Sequence, residues 1–238
     1  MAEPPVSRIA QAYPNRVEVR GRDLTSDLMG RLSFTEYFHL LLTGDEPTDD
    51  QRYFLDLLLV AIAEHGLMPT NVAARMTLAA DPGSLHGAVA AGILGAGPVI
   101  LGTAEECARL LEAGGDPKEI VRELLASGRK VPGFGHPVHK PVDPRAERIL
   151  ELADARGVSG AHVALARALR DEVGMTMNVS MPIAAVLLDL GFPAVSVKAV
   201  PILARTASLL AHLVEEQEQS IGFLLARAAE EAVDYRSV

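Results

Sequence analysis

Tryptophan is missing from this chain, aromatic residues make up 4% of it, and its one cysteine, Cys107, has no partner of its kind. A single thiol cannot close an internal disulfide, so packing alone must hold the fold and nothing points to an oxidising compartment. The expected location is the cytoplasm. Scarce aromatics beside abundant Ala and Leu favour close-packed helices over sheets, which draw on β-branched and aromatic side chains. Positive charge is also short: 22 Lys and Arg face 31 Asp and Glu, for a net charge of −9 and a pI near 5.3. That balance opposes phosphate backbones and argues against a nucleic-acid partner. The opening Met1-Ala2-Glu3-Pro4-Pro5 has no basic region followed by an apolar core, as a secretory signal needs, and reads as a short loose tail. The uncharged run Leu85 to Leu101 is broken by Gly87, Gly92, Gly95, Gly97 and Pro98. A membrane span needs about 20 predominantly apolar residues, so this run is expected to be a buried helix instead. Its Gly87, Ala91 and Gly95, spaced i, i+4, i+8, are expected to let another backbone approach closely. No fixed-period repeat, low-complexity tract or long Ser/Gly linker divides the chain.

What is present is a series of helix signals. Ser33 to Glu36, Thr48 to Gln51 and Thr103 to Glu106 fit the capping box, in which a side-chain oxygen and a carboxylate or amide three positions on satisfy free N–H groups reciprocally. Asp116-Pro117 and Asp143-Pro144 pair an N-cap with proline at the first helical position. With apolar periodicity these signals predict helices near 34–43, 50–65, 69–80, 86–96, 103–113, 117–128, 144–156, 161–173, 182–190 and 200–231, the last broken near Gly222. Gly44, Gly66, Gly114 and Gly191 are predicted helix C-termini. Glu215, Glu216 and Glu218 are expected on a solvated helix face, since no paired histidines stand nearby at ligand spacing, and no metal site is predicted.

Between Lys130 and Asp143 the pattern changes. Pro132, Gly133, Gly135, Pro137 and Pro141 preclude a continuous helix, giving an ordered loop or a tight turn pair. Its glycines let main-chain amides approach a ligand, and His136, His139, Lys140 and Arg145 add polar and cationic groups. A rigid surface loop with incidental histidines is the competing reading. A second string, Gly83-Ser84-Leu85-His86-Gly87, sets an imidazole at a helix start, where protonation is disfavoured and a neutral ring could donate to an enolate oxygen. A satisfied core histidine is the alternative there.

The order of these strings resembles the citrate synthase family. Gly133 to Arg145, with Gly-Phe-Gly-His and Asp-Pro-Arg, looks like its histidine loop, and Gly83 to Gly87 like its Gly-x-Leu-His-Gly element. Asn178-Val179-Ser180 stands where the family has Asn-Val-Asp, and Arg205 with Ala211-His212 resembles its late Arg and Ala-His pair. Residues about 21 to 47, followed by Thr48, resemble the family's early segment. The short interval from Thr48 to His86 and the string Gly-His-Pro-Val-His-Lys are closest to the citryl-CoA lyase branch, including the lyase domain of ATP-citrate lyase.

The resemblance implies an all-α fold with the N-terminal half shortened. It implies one unit over 1–238, with a large lobe about 20–102 and 179–238 and a small CoA-binding lobe about 103–178. It implies cleavage of citryl-CoA, or a related carboxylated 3-hydroxyacyl-CoA, to acetyl-CoA and oxaloacetate or an analogous oxo acid. His86, His136 and Ser180 would be catalytic, and Arg145, Arg205 and His139 would bind substrate. Val131, Pro132, Gly133, Phe134, Gly135 and Lys140 would receive coenzyme A, which enters as part of the substrate with no tightly bound cofactor. A homodimer is implied, with no nucleic acid or membrane partner. Ser180 departs from the family because a hydroxyl cannot serve as a carboxylate base. As an N-cap residue it would simply start the next helix. The departure leaves two other readings, condensation with an unusual oxo acid and a non-catalytic CoA-ester-binding protein.

Overall fold

A computed structural model describes residues 5–236; the predicted N-terminal tail therefore lies almost wholly outside the described residues. The chain opens on a three-stranded antiparallel sheet, β1 (Ala10–Tyr13), β2 (Arg16–Val19) and β3 (Arg22–Asp23), in that spatial order. A π-helical turn, Leu24–Leu28, follows. The remainder is helical: α1 (Phe34–Thr43), α2 (Asp49–Ala63), α3 (Pro69–Ala80), α4 (Leu85–Leu94), α5 (Gly97–Leu101), α6 (Thr103–Ala113), α7 (Pro117–Ala126), α8 (Pro144–Ala155), α9 (Ala161–Val173), α10 (Ser180–Asp189), α11 (Ala194–Val197), α12 (Ala199–Glu218) and α13 (Gly222–Glu231). The all-α expectation holds, apart from the small N-terminal sheet that the helix-rich composition hid.

Local chemistry explains most boundaries. The boxes Ser33/Glu36 and Thr48/Gln51 form in both directions and start α1 and α2. Asp116 and Asp143 accept backbone N–H groups at the starts of α7 and α8. The Thr103/Glu106 box does not form: Gly102 precedes α6, and the Thr103 hydroxyl donates back to the Val99 carbonyl. α5 runs into α6 without an extended residue between them, so no free first turn needs a cap. Gly44 ends α1 in the left-handed region, but Gly66 caps nothing, since α2 stops at Ala63 with Glu64 extended.

One continuous apolar core joins α2, α6, α8, α9, α10 and the start of α12 through Phe54, Leu58, Leu111, Ile149, Leu169 and Leu187 among others. It takes side chains from both predicted lobes. A smaller cluster, Ala74, Leu78, Ala88, Leu209 and Leu213, joins α3, α4 and α12. Here the close backbone approach runs one position away from the predicted stripe. Ala88 and Gly92 are the buried small residues, and a Cβ on Gly92 would meet Leu209 at 2.8 Å and the Thr70 carbonyl at 3.0 Å. Ala194–Glu218 is long and apolar enough to cross a membrane by length and composition. However, half of its most apolar window is buried, and α12 packs on α2, α3 and α4 as a core helix.

Candidate active site

The loop after α7 is fixed by its glycines and one buried carboxylate. Gly133 and Gly135 have φ of +82° and +87°, and a Cβ on Gly133 would lie 2.8 Å from both the Cys107 sulfur and Met181. Only glycine fits a left-handed backbone that close to its neighbours. The loop then pairs with the segment leading to α10. Gly135 N–H donates to Thr176 O at 2.7 Å, Asn178 N–H to Gly133 O at 2.9 Å, and the Asn178 amide to Gly135 O at 3.1 Å. Asp143, fully buried, accepts from the Arg145 backbone and guanidinium and from Val179 N–H. Burial pushes this carboxyl up, but the Arg145 hydrogen bonds and charge outweigh it and hold it below its usual value. His136, Arg145 and Ser180 thus belong to one cross-tied assembly.

Sequence reasoning missed the residue that completes it. His65 lies just beyond α2, and its Nε2 is 3.1 Å from His139 Nε2. The rings of His65 and His136 are 5.5 Å apart, and those of His136 and His139 are 4.4 Å apart. The only sequence signal was an isolated Glu-His-Gly after a helix. His139 and His65 are 74 positions apart, which no periodicity links.

The three imidazoles are not equivalent. His136 Nδ1 accepts the backbone N–H of Val138 at 3.1 Å and of His139 at 2.9 Å. A neutral ring that accepts at Nδ1 carries its proton on Nε2, so His136 presents a donor. Burial, then the His139 charge, hold its pKa below the usual histidine value; burial, then Arg145, do the same for His65. All three histidine ligand atoms lie within 4.8 Å of one another, as a metal would need. Yet His136 offers no free lone pair in this tautomer, so the donor set is a poor cage. An NMR titration should place the His136 and His65 midpoints below about 6.5. Because their folded values are depressed, acidification through about 6.5 should weaken the fold, the unfolded chain binding those protons more readily. Midpoints above that value would contradict the geometry.

A second network holds His65. The half-exposed Glu64 carboxylate accepts from the Ser208 hydroxyl, from His212 Nε2 at 2.9 Å, and from the N–H groups of His65 and Gly66 at 2.8 and 2.6 Å. Partial burial pushes Glu64 up, but these bonds prevail and bring it down to about 2. Behind His212, the buried Arg75 guanidinium donates to Nδ1 and pairs with Glu215 and Glu216. Arginine only donates, so His212 must carry its proton on Nε2, aimed at Glu64. Glu216 is buried and also accepts from Ile221 and Gly222 N–H at the start of α13. The solvated-face expectation therefore fails for Glu216, which tertiary pairing has drawn inside. Arg205, 3% exposed, donates to the Ala63 carbonyl while its Nε has no partner among the described residues. Burial lowers its pKa, Glu64 opposes, and Arg145 adds to the lowering.

Two cavities meet at His136. One, about 870 Å³, is walled by Pro98, Val99 and Thr103 on one side and Val131 to Pro137 on the other. The second, about 690 Å³, includes Lys140, Arg170 and Thr176. All five residues Val131 to Gly135 line the first cavity, and Lys140 lines the second. Ser180 is half-buried as the first residue of α10 but caps nothing; its N–H donates to the Asn178 side chain, correcting the N-cap expectation.

His86 does not join this site within the protomer. It sits on the exposed first turn of α4. The opposite end of α4 reaches the His65 side of α3, with Gly92 against Thr70 and Gly95 against Ala73. Nine residues at 1.5 Å rise put His86 about 14 Å away along the helix. The cavity wall is instead built after α4, by Pro98, Val99 and Thr103. The Gly83 to Gly87 string thus starts α4 but does not bring His86 to the His65–His136–His139 cluster of the same chain.

This helical frame, with its histidine loop crossing a buried Asp–Arg pair, defines a known class. Residues 6–227 match the family model "Citrate synthase, C-terminal domain", and the chain belongs to the citrate synthase family. It is similar to a citryl-CoA lyase of Hydrogenobacter thermophilus, at 30% identity and a TM-score of 0.88, over 98% of this chain and 94% of that one. An ATP citrate lyase of Methanosaeta concilii, solved with (3S)-citryl-CoA, shares the fold at 20% identity and a TM-score of 0.84, over 100% of this chain and 43% of that one. Citrate synthase of Heyndrickxia coagulans is 31% identical over 79% of this chain and 54% of its own length. The chain spans about half the length of the curated relatives it matches.

Proposed function

We propose that the chain cleaves citryl-CoA, or a related carboxylated 3-hydroxyacyl-CoA, to an acyl-CoA and an oxo acid. The observation that carries this reading is a cluster of three imidazoles, one of which, His136, stands where two cavities meet, with the guanidiniums of Arg145 and Arg205 near His65. Arg145 and Arg205 both disfavour added positive charge on His65, so positive charge stands close to that ring. A carboxylated substrate answers that charge, and a planar guanidinium suits a bidentate grip on a carboxylate. His136 Nε2–H polarises the substrate's oxygen, stabilising charge on the hydroxyl or nascent carbonyl. The Val131 to Gly135 backbone and Lys140 receive the coenzyme A portion. Likeness to the Hydrogenobacter lyase over nearly the whole of both chains supports cleavage over condensation.

Incubating the protein with citryl-CoA, and separately with acetyl-CoA and a panel of oxo acids, separates the readings. Cleavage predicts product only from the first. Thioester consumption only in the second would favour condensation, a reading kept open by the similarity to citrate synthases.

A homodimer is part of the proposal. The outward faces of α4, α12 and α13 leave Leu94, Val214, Phe223 and Leu224 more than half exposed. Joined into one patch, such exposed apolar side chains would form an association surface. Sedimentation at micromolar concentration should give twice the 25.3 kDa chain mass, whereas a monomer would remove this part of the proposal.

A further inference from the structure

We infer that His65 and His139 form a proton-sharing pair that serves as the base for the substrate's hydroxyl, a role His136 cannot fill in the tautomer that the two bonds at its Nδ1 impose. This rests on the proposed cleavage reaction and deepens it. Two neutral imidazoles can bring Nε2 atoms to 3.1 Å only if one carries a proton and the other presents a lone pair. His136 is already committed as a donor by two backbone N–H groups at its Nδ1. Taking a further proton there would break both bonds. The trio thus contains one fixed donor and one pair with a single proton between two facing nitrogens.

The groups around the pair set its behaviour. Burial, Arg145, its partner His139 and Arg205 disfavour added positive charge on His65, and Asp143 favours it. Glu64, tied to the His65 N–H, is a further anion beside the turn. A substrate bringing carboxylates to the guanidiniums would offset their charge and raise the pair's proton affinity when it is needed. In the step itself, the O–H proton passes to the outer Nδ1 of the ring that donates within the pair, and the shared proton crosses to its partner's Nε2, as the carbon–carbon bond beside the hydroxyl carbon breaks. The bonding electrons move to the α-carbon as a thioester enolate, and the oxygen becomes a carbonyl. The proton is then delivered to the α-carbon, which was attached to that same carbon and so remains beside the pair. The O–H proton lost equals the C–H proton gained, and the pair returns to its starting state without a co-reactant. That route accounts for a working site with Ser180 where the family carries a carboxylate.

The test combines a tautomer measurement with kinetics. Imidazole ¹⁵N NMR should show Nε2–H on His136, a lone-pair Nε2 on one of His65 and His139, and a His65 titration that shifts in H139Q. Two Nε2–H rings, or a His65 midpoint indifferent to H139Q, would overturn the pairing whether or not citryl-CoA is turned over. With citryl-CoA as the probe, H139A should lose about 10²–10⁴ in kcat with little change in KM, the range of a positioned acid–base group. Added imidazole should restore part of it. H139A turnover within threefold of wild type, with the same acid limb, would sink the catalytic role. Loss that imidazole does not rescue in a variant of unchanged Tm would do the same. Absence of turnover by the wild-type protein would refute the cleavage reading instead, leaving the pair to the NMR result.

Discussion

Replacing His136 by alanine is expected to lower citryl-CoA turnover by about 10²–10³, the loss seen when one preorganised donor to a developing oxyanion is removed. The fold should change little. The His136 ring is only half-buried, and the two N–H groups it accepts belong to an exposed loop turn where water can replace it. Thermal unfolding within a few degrees of wild type, with kcat reduced and KM nearly kept, would fit a group that acts in the transition state. A raised KM with kcat unchanged would make His136 a binding residue only.

Asp143 carries the second large effect, and there fold and function fall together. Its carboxylate has no exposure and takes four hydrogen bonds, three from Arg145 and one from Val179 N–H. Truncation to alanine leaves a guanidinium and a backbone N–H unpaired and removes the cap of α8. Breaking one partner from such a pair costs about 3–5 kcal/mol. The expected result is a large fall in denaturant midpoint together with weakened substrate binding, since Arg145 loses its anchor. A change below about 1 kcal/mol would mean that water or a neighbour takes over the carboxylate's bonds.

The loop from Val131 to Arg145 was legible because its chemistry is local. Glycine placement, an Asp-Pro cap and clustered cations all sit within one stretch, and the structure keeps them together. His65 was not legible, because its role depends on a contact across 74 positions and on a turn whose Glu64 is tied to Ser208 and His212 of the distant α12. The β1–β2 hairpin was missed for another reason. Arg16-Val17-Glu18-Val19 alternates as a strand should, but a composition rich in Ala and Leu outweighed four residues. His86 shows the opposite case: the string Gly83 to Gly87 starts α4 as read, but the helix runs so that its far end, not the ring, lies on the His65 side within one chain. Glu216 likewise looked like surface by its neighbours, and only Arg75 and the start of α13 explain its burial.

The proposed reaction breaks a carbon–carbon bond in a carboxylated CoA ester. Its most direct test is to incubate the purified protein with citryl-CoA and follow acetyl-CoA and oxaloacetate, with His136→Ala alongside. Equal amounts of the two products, strongly reduced in the variant, are predicted. Citryl-CoA that binds and is recovered intact from the wild-type protein would contradict the claim.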